Sequence, residues 1–97
     1  MRLEFHPHTV SDLNNAVVYY NQQRAGLGDE LRIEVHAAIE QVRENPSQFA
    51  VVANEIRRCL VHRFPYAVLF RVVGDELIRV LVIRHHRRHQ DFGLGRR

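Results

Sequence analysis

No lysine occurs in this 97-residue chain: all 14 of its basic residues are arginine. A catalytic site built on ammonium groups is therefore excluded. Cysteine appears once, as Cys59. It cannot close an internal disulfide, and its place in an apolar run suits a buried, inert thiol in a reducing compartment. No apolar run approaches the ~20 residues of a membrane-spanning helix. Met1-Arg2-Leu3-Glu4-Phe5 lacks the apolar region of a signal peptide, so the expected location is the cytoplasm. Tyrosine is missing after Tyr66, and there is no internal repeat or low-complexity tract.

What remains is the composition of one globular domain. Apolar residues make up 45% and charged residues 26% of the chain, both ordinary for a soluble fold. A chain of this length buries roughly 60–68% of its unfolded surface around a single core. The charge is unevenly placed. Residues 1–50 carry four Arg against seven acids, a balance of −3, while residues 51–97 carry ten Arg against four acids, a balance of +6. A cationic C-terminal half suits a phosphate or an acidic protein partner.

That half is organised around Ile56 to Arg88. Three runs rich in Val, Ile, Leu, Phe and Tyr are separated by Phe64-Pro65 and by Gly74-Asp75. The pattern predicts a three-stranded antiparallel meander with strands at 56–63, 66–73 and 77–85. In the first, Arg57, Cys59, Val61 and Arg63 share one face. The last strand is apolar on both faces apart from Arg79 and Arg84.

Upstream, the alternation of Leu3-Glu4-Phe5 predicts a short strand at 2–6, ended by Pro7. Thr9 and Asp12 have the spacing of a loose capping box. Val10, Leu13, Val17 and Tyr20 then mark one face of a helix over 10–24, with Gly26 placed to cap it in the left-handed conformation. Leu27, Leu31, Val35, Ala38, Ile39 and Val42 form the stripe of a second helix, stopped by Asn45-Pro46. So short a loop between two helices predicts an antiparallel helical hairpin, whose stripe must be covered by the sheet. Residues 47–54 read as a connector with Phe49 and Val51 under the core. The tail, 89–97, is expected to be loosely ordered.

The motifs in this order resemble those of the RelE/ParE superfamily of bacterial toxins, and the ParE branch more than the RelE branch. They are Asp12-Leu13-x-x-Ala16-x-x-Tyr19-Tyr20, Gly26-Leu27-Gly28, Asn45-Pro46 with Phe49, Arg57-Arg58, Arg63-Phe64-Pro65-Tyr66-Ala67-Val68 and His85-x-Arg87-Arg88. The resemblance covers about residues 3–88. It implies an α+β fold, β-α-α-β-β-β, with a helical hairpin on a small curved antiparallel sheet. It implies a cognate antitoxin that wraps and neutralises the toxin, in a complex that assembles further and binds operator DNA through the antitoxin. The implied target is DNA gyrase for a ParE-like chain, or messenger RNA on the ribosome for a RelE-like one. One departure is that Gln90 stands where ParE-like chains usually carry a proline, leaving Phe92 as the only nearby aromatic.

Cleavage of RNA needs a base for the 2′-hydroxyl, a cation for the phosphorane and an acid for the leaving oxygen. The lysines and C-terminal tyrosine of a close RelE-like site are missing. A second arrangement in the superfamily is imitated by Glu55, Arg71 and His85, which are therefore the catalytic candidates under a nuclease reading. Arg57, Arg58, Arg63, Arg84, Arg87 and Arg88 are the candidates for holding antitoxin or target, because guanidinium forks bind carboxylates and phosphates in a two-pronged way. His85, His86 and His89 do not make a metal site, since neighbouring strand residues point to opposite faces. No cofactor is expected.

Overall fold

Proline at position 7 sets the start of the first helix. The computed structural model describes all 97 residues. Strand β1 (Arg2–Phe5) runs straight into helix α1 (Pro7–Gln23). Pro7 sits at the first helical position, where a missing N–H leaves nothing unpaired. His6 is the N-cap, and its Nδ1 accepts from the His8 N–H at 3.1 Å. The expected start at Val10 on a Thr9–Asp12 box is thereby corrected. Thr9 is instead buried and its hydroxyl reaches the carbonyls of Val80 and Leu81 at 3.3 and 3.0 Å. It ties the helix to the sheet.

Helix α2 (Leu27–Glu44) follows after a short turn. Gly26 takes the left-handed conformation, φ 87°, as expected, and serves as the N-cap of α2. The apolar stripe is borne out: Leu31, Val35, Ala38, Ile39 and Val42 are all buried. Close approach of the two helices depends on Gly28. A Cβ there would lie 2.1 Å from the Val17 carbonyl oxygen, and the Gly28 N–H donates to Asn21 Oδ1 at 2.7 Å.

A 3₁₀ turn (Pro46–Gln48) leads into the remaining strands: β2 (Val51–Ala53), β3 (Ile56–Leu60), β4 (Tyr66–Val73) and β5 (Leu77–His85). The sheet order is β1-β5-β4-β3-β2. The meander is antiparallel as expected, but β1 pairs parallel with β5, Arg2 opposite Leu77 and Phe5 opposite Val80. The sheet is therefore mixed, and β2 is an added edge strand that the sequence pattern does not mark. Val51, expected in the core, is 53% exposed on that edge.

Two boundaries differ for local reasons. β3 stops at Leu60, and Arg63 lies in a left-handed turn at φ 71° ahead of Phe64-Pro65. The β4–β5 loop holds three residues, Gly74 to Glu76, because Val73 pairs with Leu77. Within that pair of strands the register shifts between Leu69 and Phe70, whose partners are Val82 and Val80. Leu81 is the extra residue, a bulge that turns two neighbours toward the same face.

Both faces of the sheet are covered. The main core joins α1 and α2 to Cys59, Val68, Phe70, Ile78, Val80 and Ile83. A smaller cluster, Ile56, Ala67, Leu69, Leu81 and Val82, lies on the opposite face against Phe92 and Leu94. Residues 86–97 contain turns but no helix or strand, and they fold back across that second face.

Candidate partner-binding surface

Two of the three side chains proposed for a nuclease, Arg71 and His85, do not meet. His85 pairs with Tyr66 at one end of β4, while Arg71 pairs with Arg79 five residues further along. At about 3.3 Å per residue the separation is roughly 16 Å. The two also lie on opposite faces, since Tyr66 belongs to the helix-facing set and Arg71 shares the parity of Ala67 and Leu69. Glu55 is exposed in the turn between β2 and β3, at φ 66°, and makes no ion pair. Arg71 approaches the Asn54 carbonyl at 3.5 Å, and its Nε is buried without a partner.

His85 is held in one tautomer. Its Nδ1 accepts from the Arg87 N–H at 2.9 Å, and its ring stands edge-on to Tyr66 at 5.2 Å. Partial burial, then the charges of Arg87 and His86, push its pKa below the ordinary histidine value. In an NMR titration the His85 ring should change shift below about 6.5, the usual midpoint. Because the folded pKa is the lower one, the neutral form favours the fold, and stability falls as pH drops below that value. A His85→Gln variant should lose that part of the acid sensitivity, which a pH series of urea midpoints would show.

The six arginines expected to hold a partner divide into two groups. Arg57 and Arg63 have structural tasks. Arg57 Nη1 donates to the carbonyls of Ser47 and Phe49, at 3.3 and 2.5 Å, and so fastens the connector to β3. Arg63 pairs with Glu30 of α2 at 3.0 Å, and that bond, with help from Arg24, holds the Glu30 carboxyl below its usual range. The expectation that Arg57 and Arg63 share a face of one strand is corrected, because Arg63 lies beyond the strand's end.

Arg58, Arg84, Arg87 and Arg88 form the second group, with Arg58 close to Arg84. Arg58, Arg87 and Arg88 are exposed, and none of the four joins an ion pair. Arg84 and Arg88 line a depression of about 220 Å³ together with Tyr19, Tyr66, His85 and Phe92. Tyr19 is 55% exposed here. Tyr20 turns inward, edge-on to Phe64 and Tyr66. Burial raises the pKa of Tyr66. Arg84 Nη1 donates to the Gln90 and Phe92 carbonyls, so of the two guanidinium groups here Arg88 is the one beside aromatic rings with no hydrogen bond or ion pair, an arrangement that can bind an anionic, planar or acidic partner.

A second concave feature escaped sequence reasoning. Leu3, Phe5, Val10, Leu13 and Ile39 line an apolar groove of about 420 Å³ beside the free edge of β1, rimmed by Arg32, His36 and Glu40. Its signal was the outward position of Phe5 and Val10, which are 45% and 56% exposed. No group of His, Cys, Asp or Glu side chains is arranged to hold a metal ion, and no helix is long and apolar enough to cross a membrane.

This architecture is that of a known class of small toxin folds. The structure of the "Chromosomal ParDE TA system from P. aeruginosa" superposes with a TM-score of 0.78 over 88% of this chain and 95% of that one, at 19% identity. No match was found among curated proteins. The family model for the ParE toxin of the type II toxin–antitoxin system, parDE, matches residues 3–90, and the chain belongs to that family. It is a toxin of the RelE/ParE superfamily on the ParE side.

Proposed function

We propose that this chain arrests growth by inhibiting DNA gyrase without cutting nucleic acid, and that a cognate antitoxin holds it inactive in the cytoplasm. The ParE family match over residues 3–90 carries this reading. Support comes from the placement of Arg71 and His85 at opposite ends of the β4–β5 pairing and on opposite faces of the sheet. The antitoxin's acidic groups would find Arg58, Arg84, Arg87 and Arg88, and its apolar side chains the groove at Leu3, Phe5 and Val10. The resulting complex would assemble further and bind operator DNA through the antitoxin.

Two assays test this. Purified toxin should inhibit gyrase supercoiling and leave ribosome-bound transcripts intact. Arg71→Ala and His85→Ala should keep their growth inhibition, because neither residue performs chemistry. Transcript cleavage abolished by either substitution, in a folded protein, would instead establish an endonuclease. Absence of growth arrest from the toxin alone would mark a chain that only binds its antitoxin.

A further inference from the structure

The depression beside helix α1 draws its lining from distant parts of the chain. Helix α1 contributes Asp12 and Tyr19, which share one helical face. The start of β4 gives Tyr66, the end of β5 gives Arg84 and His85, and the turn after it gives Arg88. Its volume is about 220 Å³. Cavities that enclose whole drug-sized ligands run to roughly 300–1,000 Å³, so this one suits one end of a ligand and leaves the rest outside.

Donors here outnumber the acceptors that could satisfy them. Neither the Tyr19 nor the Tyr66 hydroxyl makes a hydrogen bond, and neither does the Arg88 side chain. Arg84 spends Nη1 on the Gln90 and Phe92 carbonyls, at 2.6 and 2.9 Å, and keeps Nη2 free. His85 Nδ1 accepts from the Arg87 N–H, which leaves the ring proton on Nε2 as a further donor. The carboxylate in the lining is already taken. Asp12 accepts from both terminal nitrogens of Arg96, at 2.5 and 3.3 Å, and from the Ile83 N–H at 3.3 Å. Asp91, which neighbours Arg84, lies outside the lining and 3.7 Å from His89.

Two rings set the shape of what fits. The Arg88 guanidinium carbon stands 4.6 Å from the centre of the Phe92 ring, so its N–H edges are left for oxygen atoms. Tyr19 meets Tyr20 edge-on at 5.3 Å and is 55% exposed, so its ring is open to a flat group at the rim.

We propose that this depression binds a nucleoside phosphate, with the phosphate on Arg88, Arg84 and the Tyr66 hydroxyl and the base against the Tyr19 ring. A phosphate monoester carries about −1.5 to −2 charge at pH 7 and three acceptor oxygens, which answers the surplus of donors. The base gains by stacking on an aromatic face, whichever base it is. The proposal does not depend on gyrase being the target, and neither gyrase nor antitoxin enters its test.

The test titrates the full chain with AMP, adenosine and inorganic phosphate by calorimetry. AMP should bind about tenfold tighter than either fragment. Arg88→Gln should weaken AMP about tenfold and leave adenosine unchanged, while Tyr19→Leu should bring AMP down to the level of inorganic phosphate and leave phosphate unchanged. Both side chains are exposed, so neither change empties the core. A 5′-phosphorylated dinucleotide separates two sources of the same chemistry: binding tighter than AMP assigns the site to a nucleic-acid end, and binding no tighter assigns it to a free nucleotide. AMP and adenosine binding alike, an AMP affinity indifferent to Arg88→Gln, or no AMP binding at millimolar concentration would overturn the proposal.

Discussion

Phe70→Ala should destabilise the fold by about 3–5 kcal/mol, the range for emptying a large aromatic site in a core. Phe70 is 0% exposed and is among the largest fully buried side chains. It faces the helices from β4 and meets Phe49 edge-on at 5.8 Å. Its neighbours cannot easily collapse into the gap. The backbone at this point is pinned by the register shift opposite Leu81, and Phe49 is held by Arg57 bonding its carbonyl. A domain of this size has about 5–15 kcal/mol in total, so the variant should retain only a fraction of it. Urea unfolding should show a much lower midpoint with an unchanged slope. A loss below about 1 kcal/mol would mean that Phe70 does not sit in a tightly packed core.

Gly28→Ala should cost about 2–3 kcal/mol, although alanine is the better helix former by about 1 kcal/mol. The added methyl would meet backbone, the Val17 oxygen at 2.1 Å and the Val17 carbon at 2.8 Å, so no side-chain rotation relieves it. The helices must part. In doing so they stretch the bond from the Gly28 N–H to Asn21, worth about 1 kcal/mol. For a domain of 60–100 residues each kcal/mol lowers Tm by about 4–8 °C, so a fall of roughly 8–24 °C is expected in calorimetry. Gly26→Ala separates this effect from backbone preference. Gly26 has φ 87° but nothing within 4 Å of the place a methyl would take, so its cost is conformational alone and smaller.

The helices were legible because their signal is local. A stripe at helical spacing, a proline stop and a short glycine turn fix α1, α2 and their hairpin within a few residues. The meander was legible for the same reason, from alternation and two breaks. The partners of β1 were not. Nothing in Leu3-Glu4-Phe5 specifies a parallel neighbour at residues 77–80, since strand pairing across the whole chain leaves no local trace. The continuous apolar run of β5 did carry a clue. Both its faces are buried, one under helices and one under the tail, and a run without alternation is what that demands.

Candidate residues were readable by type but not by occupation. The arginine sequence motif could not show that Arg57 and Arg63 are already engaged by a connector and by Glu30. Nor could it show that Asp12, which looks like a helix-start residue, is reserved for Arg96 at the other end of the chain. Such pairs join residues that are remote in sequence, and only the assembled fold brings them within bonding distance.

The parallel pairing of β1 with β5 also bears on the order of events during synthesis. β5 lies between β1 and β4, so the first strand made has no neighbour until residues 77–80 emerge. Contacts that span nearly the whole polypeptide close late and slowly. A nascent chain that has released only its helical hairpin still lacks β5, and a ribosome stalled before that point yields no completed sheet.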